Sequence, residues 1–189
     1  MPHFGARKGV RELLSLDDSR WKELKTAYGS AADIQEKLRR LLEYPSWKDG
    51  RLADPDDLLY GFLCHQGTVY TATFAALPHF IELAGRLEPR ERLDLVIFAG
   101  SVEEGRDFTG AAELPDFLSR AYLDALEVAA RTAWADLAQQ WDELDFRYLL
   151  GAYAALRGFR RIGLAITGPN DVLDAVPDAP QAIQSPPLS

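Results

Sequence analysis

Along most of this chain apolar residues recur at intervals of three and four, the spacing that gathers side chains on one face of a helix. Trp21, Leu24, Ala27 and Tyr28 make the first such stripe, and Gly29 ends it. Ser30 and Asp33 can cap a second helix, whose face is Ile34, Leu38, Leu41 and Leu42 and whose end is set by Pro45. These two helices are expected to pair antiparallel. Asp54-Pro55-Asp56-Asp57 reads as a cap, a first-turn proline and two carboxylates on the positive helix end, so a third helix is predicted to about His65. After Gly67, Thr68 opens a fourth, with Tyr70, Phe74, Leu77, Ile81 and Leu83, which Pro78 is expected to kink or divide.

Pro89 starts the next helix, carrying Leu93, Val96 and Ile97, and Gly100 and Gly105 are read as its end and the loop beyond it. Pro115 begins the longest one, to about Gln139, with Phe117, Leu118, Tyr122, Ala125, Leu126, Ala129, Ala133 and Leu137 inward. Asp142 begins another that holds Leu149, Ala152, Tyr153 and Leu156, and Phe159 to Thr167 forms a last short one. No stretch alternates apolar and polar residues between hairpin turns, so the predicted fold is all-α. The domain is placed at residues 1–167. From Gly168 five prolines fall within the last residues (169, 177, 180, 186 and 187), which read as a tail or strap over 168–189.

Composition changes the picture in three ways. At 189 residues, 47% hydrophobic and 26% charged, the chain is long enough for one packed core and too short for two enzymatic domains. Twenty-nine acidic against 21 basic residues give a net charge of −8, a field that repels nucleic acid and anionic membrane. One cysteine, Cys64, excludes an internal disulfide and a multi-cysteine metal site. Leu58 to Ile81 carries no formal charge, but His65, Gln66, Gly67 and Thr68 at its centre are too polar for a bilayer midplane. The first residues, Met1 to Lys8, lack the apolar run of a signal peptide, and the expected location is cytoplasmic.

Leu77-Pro78-His79-Phe80-Ile81 and Leu114-Pro115-Asp116-Phe117-Leu118 share an apolar-Pro-x-Phe-apolar pattern at a spacing that suits helical-hairpin repeats of roughly 40 residues. The run from His65-Gln66-Gly67-Thr68 to Thr73, followed by Ala76 to Leu83, resembles the signature of bacterial HEAT-like proteins of mostly unassigned function. Trp21, Leu24, Ala27-Tyr28-Gly29 and Asp33-Ile34 resemble the start of the same proteins. The resemblance spans roughly residues 18–86 and fades beyond them. It implies antiparallel hairpins stacked as a short α-α superhelix that binds another macromolecule on its concave face, and it implies no catalytic residues.

Candidate chemistry is sparse. Cys64, His65 and His79 concentrate soft ligand types, but adjacent side chains on a helix project about 100° apart, so no metal site is expected. The reading for Cys64 is core packing; for His65 and Gln66 it is hydrogen bonding at a helix turn, with His65, Gln66, Thr68, Tyr70 and His79 kept as a possible ligand-contacting set. Ser101 follows Gly100 without a nucleophile elbow, and no phosphate-cradling glycine loop occurs, so neither a serine hydrolase nor a nucleotide cofactor is expected. Glu103, Glu104 and Asp107 are of the type that forms an acid–base pair, but in a glycine-containing loop they are read as solvated.

Residues 101–145 hold eleven acids and three arginines, which equals the imbalance of the whole chain. They read as a solvated face or as an acidic surface that steers a basic protein into contact, with Glu103, Glu104, Asp107, Asp124 and Glu127 as the docking residues. Reversing Glu103, Glu104, Asp124 and Glu127 to lysine is expected to leave folding intact. Trp47, Trp134 and Trp141 are offered as interface anchors or core, and Arg157, Arg160 and Arg161 as a small basic cluster at a helix end. The expected function is non-enzymatic: a protein-binding helical scaffold without cofactor, metal, nucleic acid or membrane, of the immunity or antitoxin kind. The alternatives are an enzyme on the same scaffold, such as a glycosylase, and a small-ligand binder at the Cys64–Tyr70 turn.

Overall fold

The computed structural model describes residues 13–48, 50–54 and 57–168. The reading of the N-terminal stretch, the Pro55–Asp56 part of the expected cap and the proline-rich segment from Pro169 lie outside the described residues.

Helix dominates, at 65% of the described residues. A short 3-10 turn, Ser19–Glu23, leads into β1 (Lys25–Thr26) and β2 (Gly29–Ser30), which pair antiparallel; α1 follows at Ile34–Glu43. A second small hairpin joins β3 (Trp47–Lys48) to β4 (Arg51–Leu52). A wide helical turn, Leu58–Leu63, and a 3-10 turn, His65–Gly67, come before α2 (Thr71–Ala84). The chain then runs through α3 (Pro89–Gly105), α4 (Asp116–Asp136), α5 (Glu143–Leu156) and α6 (Arg160–Thr167). The helix α2 packs on α3 and on α4, and α3 and α4 each pack on α5, so the hairpin α2–α3 lies against the hairpin α4–α5. The last helix, α6, packs on α5 and α3.

Several of the sequence signals act as expected. Asp142 caps α5, its carboxylate accepting from the Asp145 amide at 2.9 Å, and Pro89 opens α3. Others were overridden by tertiary contacts. The stripe Trp21 to Tyr28 is not a helix: the Lys25 amide donates to Thr71 Oγ1 (2.8 Å) and the Ala27 amide to the Phe62 carbonyl (3.0 Å), bonds that a helix would have kept for itself. The expected antiparallel pair with α1 is therefore absent, although Trp21 is fully buried and donates from its indole to the Ser15 carbonyl. The third helix is present but shorter and wider than expected, a π-helix at Leu58–Leu63, with the Asp54 carboxylate accepting from the Leu59 amide at 2.9 Å.

Pro78 neither divides α2 nor ends it. The proline-bearing copies are also not equivalent, since Pro78 is internal to α2 whereas Pro115 is the residue before α4. Gly100 does not end α3. A Cβ there would fall inside contact distance of Ala152, so this glycine is where α3 and α5 approach closest. Phe117, expected inward, is 47% exposed under the Arg20 guanidinium, 4.9 Å from its ring centroid. The main core joins α1, α2, α3 and α4 through residues such as Leu38, Phe74, Phe80, Phe98 and Tyr122; Leu93, Val96, Ala133 and Leu149 form a smaller cluster.

Candidate functional site

The turn singled out by the sequence is held by a backbone hydrogen bond and by the Thr73 hydroxyl. The Thr68 amide donates to the His65 carbonyl (2.9 Å), the Tyr70 amide to Thr73 Oγ1 (3.2 Å), and the Thr73 hydroxyl to the Leu63 carbonyl. Gly67 sits at φ +78°, and a Cβ on it would lie 2.6 Å from the Phe108 ring. Gly67→Val is therefore expected to lower stability by about 2 kcal/mol through backbone strain and displacement of Phe108; an unchanged melting temperature would contradict this account of the turn.

The five residues of that set are not brought into one pocket. His65 is half-buried beside Tyr28, whose hydroxyl is 3.5 Å from Nδ1, and Gln66 is exposed. Thr68 and Tyr70 are half-buried. His79 lies within α2, 7% exposed, and its Nε2 donates to the Leu14 carbonyl at 2.9 Å, while burial pushes its pKa down. Cys64 is buried as expected, its thiol pushed up to about 11 by burial. Among the described residues no group of three histidine, cysteine or carboxylate side chains is arranged to hold a metal.

The acidic set is divided just as sharply. Glu103 and Glu104 are not in a solvated loop; they belong to the last turn of α3 and are 4% and 7% exposed. Glu103 accepts from the Tyr122 hydroxyl (2.5 Å), from Arg160 through two nitrogens (2.9 and 3.1 Å) and from Arg106 (3.2 Å). Asp107 is exposed but paired with Arg160 at 2.8 Å. Asp124 pairs with Arg120 at 3.3 Å, and Glu127 with Arg131 at 3.1 Å, one helical turn away in each case. Asp136 and Asp145 are buried as well, so much of the acidity of this segment is internal and neutralised.

A different place gathers polar groups around open space. A cleft of about 400 Å³ is lined by Arg51 of β4, Tyr60 of the wide turn, Asp94, Ile97 and Ser101 of α3, Leu144, Asp145 and Tyr148 of α5, and Thr167 of α6. Arg51 pairs with Asp145 through one nitrogen and reaches Asp94 Oδ1 through the other at 3.2 Å. Among the described residues Asp94 accepts no other hydrogen bond, and burial raises its pKa against the pull of Arg51. Nearby, burial lifts Asp54 to about 6 although it accepts from the Leu59 amide. Two carboxylates share one guanidinium, which leaves the cleft with excess negative charge. The hydroxyls of Ser101, Thr167 and the two tyrosines and the apolar sides of Ile97 and Leu144 complete it.

None of the residues singled out as site candidates lines this cleft. Ser101 was weighed as a nucleophile alone, and Arg51, Asp94 and Asp145 carried no local signal: the guanidinium meets partners 43 and 94 positions along the chain. The nearest thing to one is Asp94, a carboxylate beside Leu93 and before Val96 and Ile97 on an otherwise apolar stripe.

Fold and cleft together define a mostly helical protein with an ion-paired cleft beside its last helices. Compared with known proteins, the chain matches no family model, no curated protein and no solved structure.

Proposed function

We propose that this chain is a binding protein rather than a catalyst, and that the cleft between β4, α3, α5 and α6 receives a small organic cation, a primary ammonium in the first instance. The observation that carries the reading is Asp94: a partly buried carboxylate on the cleft wall whose one described donor reaches only Oδ1. An ammonium group would supply the missing donor and the missing positive charge together, while Tyr60 and Tyr148 line the cleft beside it and Ile97 and Leu144 cover an aliphatic stem. The volume falls in the range of small-ligand sites. Asp145 is committed to Arg51, which argues for a recognition role over proton transfer.

The test is titration calorimetry with propylamine and putrescine as probes, and with propanol and butyrate as neutral and anionic controls. Saturable binding of the amines alone is expected, weakened at least about tenfold by Asp94→Asn, since a charge-assisted hydrogen bond is lost. Equal binding by the variant, or no amine binding at all, would sink the reading.

A second reading keeps a protein partner. Its support is the outer face of α4, where Trp134 is 65% exposed and leans on Tyr153 at 5.4 Å between Arg131 and Arg157. On that reading the packed pairs α2–α3 and α4–α5 would form a short HEAT-like array; the basic partner has less support, because its docking carboxylates are buried or paired.

A further inference from the structure

The helix α3 ends on two successive glutamates in opposite circumstances. Glu103 is met by Arg106, Arg160 and Tyr122, whereas Glu104 enters the seam between α3 and α6 and meets uncharged groups. From α6 come the Thr167 hydroxyl, 3.3 and 3.2 Å from the two carboxyl oxygens, and the backbone at Gly163, so close that a Cβ there would lie 2.9 Å from Oε1. From α5, the Gly151 carbonyl and the Ala155 methyl crowd the same face of Gly163, so that α3, α5 and α6 meet at this residue. From the turn before α2, the buried Cys64 is near enough for the Glu104 charge to raise its thiol further. The arginines of this region, Arg106 and Arg160, are taken by Glu103 and Asp107.

The hydrogen-bond count favours the acid over the carboxylate. Thr167 has one hydroxyl proton and a second acceptor within reach, the Gly163 carbonyl at 3.2 Å. A protonated Glu104 donates to Thr167 Oγ1, which donates on to Gly163, and every group in the chain is satisfied. An ionised Glu104 accepts the Thr167 hydroxyl's hydrogen bond and remains a buried charge without a cation.

We propose that protonated Glu104 is a latch that docks α6 on α3, and that its ionisation loosens α6. In the docked state burial lifts this carboxyl to about 7, while in the released state it is solvated and titrates near its ordinary 4.5. Docking is therefore at full strength below pH 4.5, weakens steadily as pH rises to about 7, and changes no further above that. Because Thr167 also lines the cleft, release of α6 opens one wall of it. That consequence rests on the ligand reading; the latch does not.

The experiment is hydrogen exchange on the full chain without ligand at about pH 5 and about pH 7.5, corrected for intrinsic exchange, with amides 160–168 referred to those of α4 in the same molecule. Protection of α6 is expected to fall at least about tenfold between the two conditions in the natural chain and to stay high in Glu104→Gln, a neutral side chain that still reaches Thr167. A flat profile in the natural chain, or an equal fall in the variant, overturns the latch. Carbon-detected titration of the Glu104 carboxyl in the natural chain needs no variant and overturns it equally if the group titrates in the ordinary range. Neither readout depends on amine binding, so the two proposals fail separately.

Discussion

Replacing Glu103 by alanine is expected to cost about 3–5 kcal/mol, the range for removing one member of a buried ion pair. Its carboxylate, 4% exposed, is the common acceptor of Arg106 at the end of α3, Tyr122 of α4 and Arg160 of α6. Its loss strands the Tyr122 hydroxyl in a fully buried position and leaves two guanidinium groups facing each other across the gap. Lysine there is worse, because it adds a third cation, so the expectation that a lysine reversal spares the fold is reversed for Glu103, and for buried Glu104 as well. Asp124→Lys and Glu127→Lys are the controls. Both carboxylates pair across one turn of α4 near the surface, and such pairs are worth about 1 kcal/mol or less. Urea denaturation of Glu103→Ala and Glu103→Lys beside Asp124→Lys and Glu127→Lys gives the comparison; a Glu103→Ala midpoint no lower than that of Glu127→Lys would refute the role of Glu103 as common acceptor.

The second large effect is expected at Gly100, where Gly100→Val should lower stability by about 3 kcal/mol. The α3 and α5 backbones meet at this residue, and the first atom of any side chain would overlap Ala152. The helices would have to separate, which also disturbs the adjoining cluster of Leu93, Val96, Ala133 and Leu149. The melting temperature should drop by about 6–12 °C, at roughly 2–4 °C per kcal/mol for a domain of this size. Gly110→Val is the contrast: no atom lies within 4 Å of a Cβ built there, and its cost is confined to the positive φ of +91°. If the two variants melted together, close approach of α3 and α5 would not be what Gly100 provides.

Both expectations run against a plain reading of the sequence, and for related reasons. A glycine in a helical stripe and a glycine after a helix look alike in one dimension, so Gly100 reads as a stop until α5 is seen lying on it. A pair of glutamates between glycines reads as loop, because nothing local says that Arg160, 57 positions on, and Tyr122 will reach Glu103. Burial of a charge is decided by its partner, and the partner is remote. The same holds for the cleft: Arg51, Asp94 and Asp145 come from separate elements and become a site only when β4 is laid across α3 and α5.

What the sequence determined by itself is the part of the structure written in neighbouring residues. The apolar spacing of Ile34 to Leu41, Leu118 to Ala133 and Leu149 to Leu156, with Pro89, Pro115 and Asp142 as start signals, sets α1, α3, α4 and α5 and with them a mostly helical protein. Only the tertiary structure decided where those signals yield. At Trp21 to Gly29 backbone donors found better partners in Thr71 and Phe62 than in their own turn, and a helical stripe became a hairpin. At Glu103 and Glu104 packing against α4 and α6 turned an acidic run inward. Helices are specified by contacts three and four residues apart, which a sequence displays; charge burial and clefts are specified by contacts across the whole chain, which exist only once it has folded.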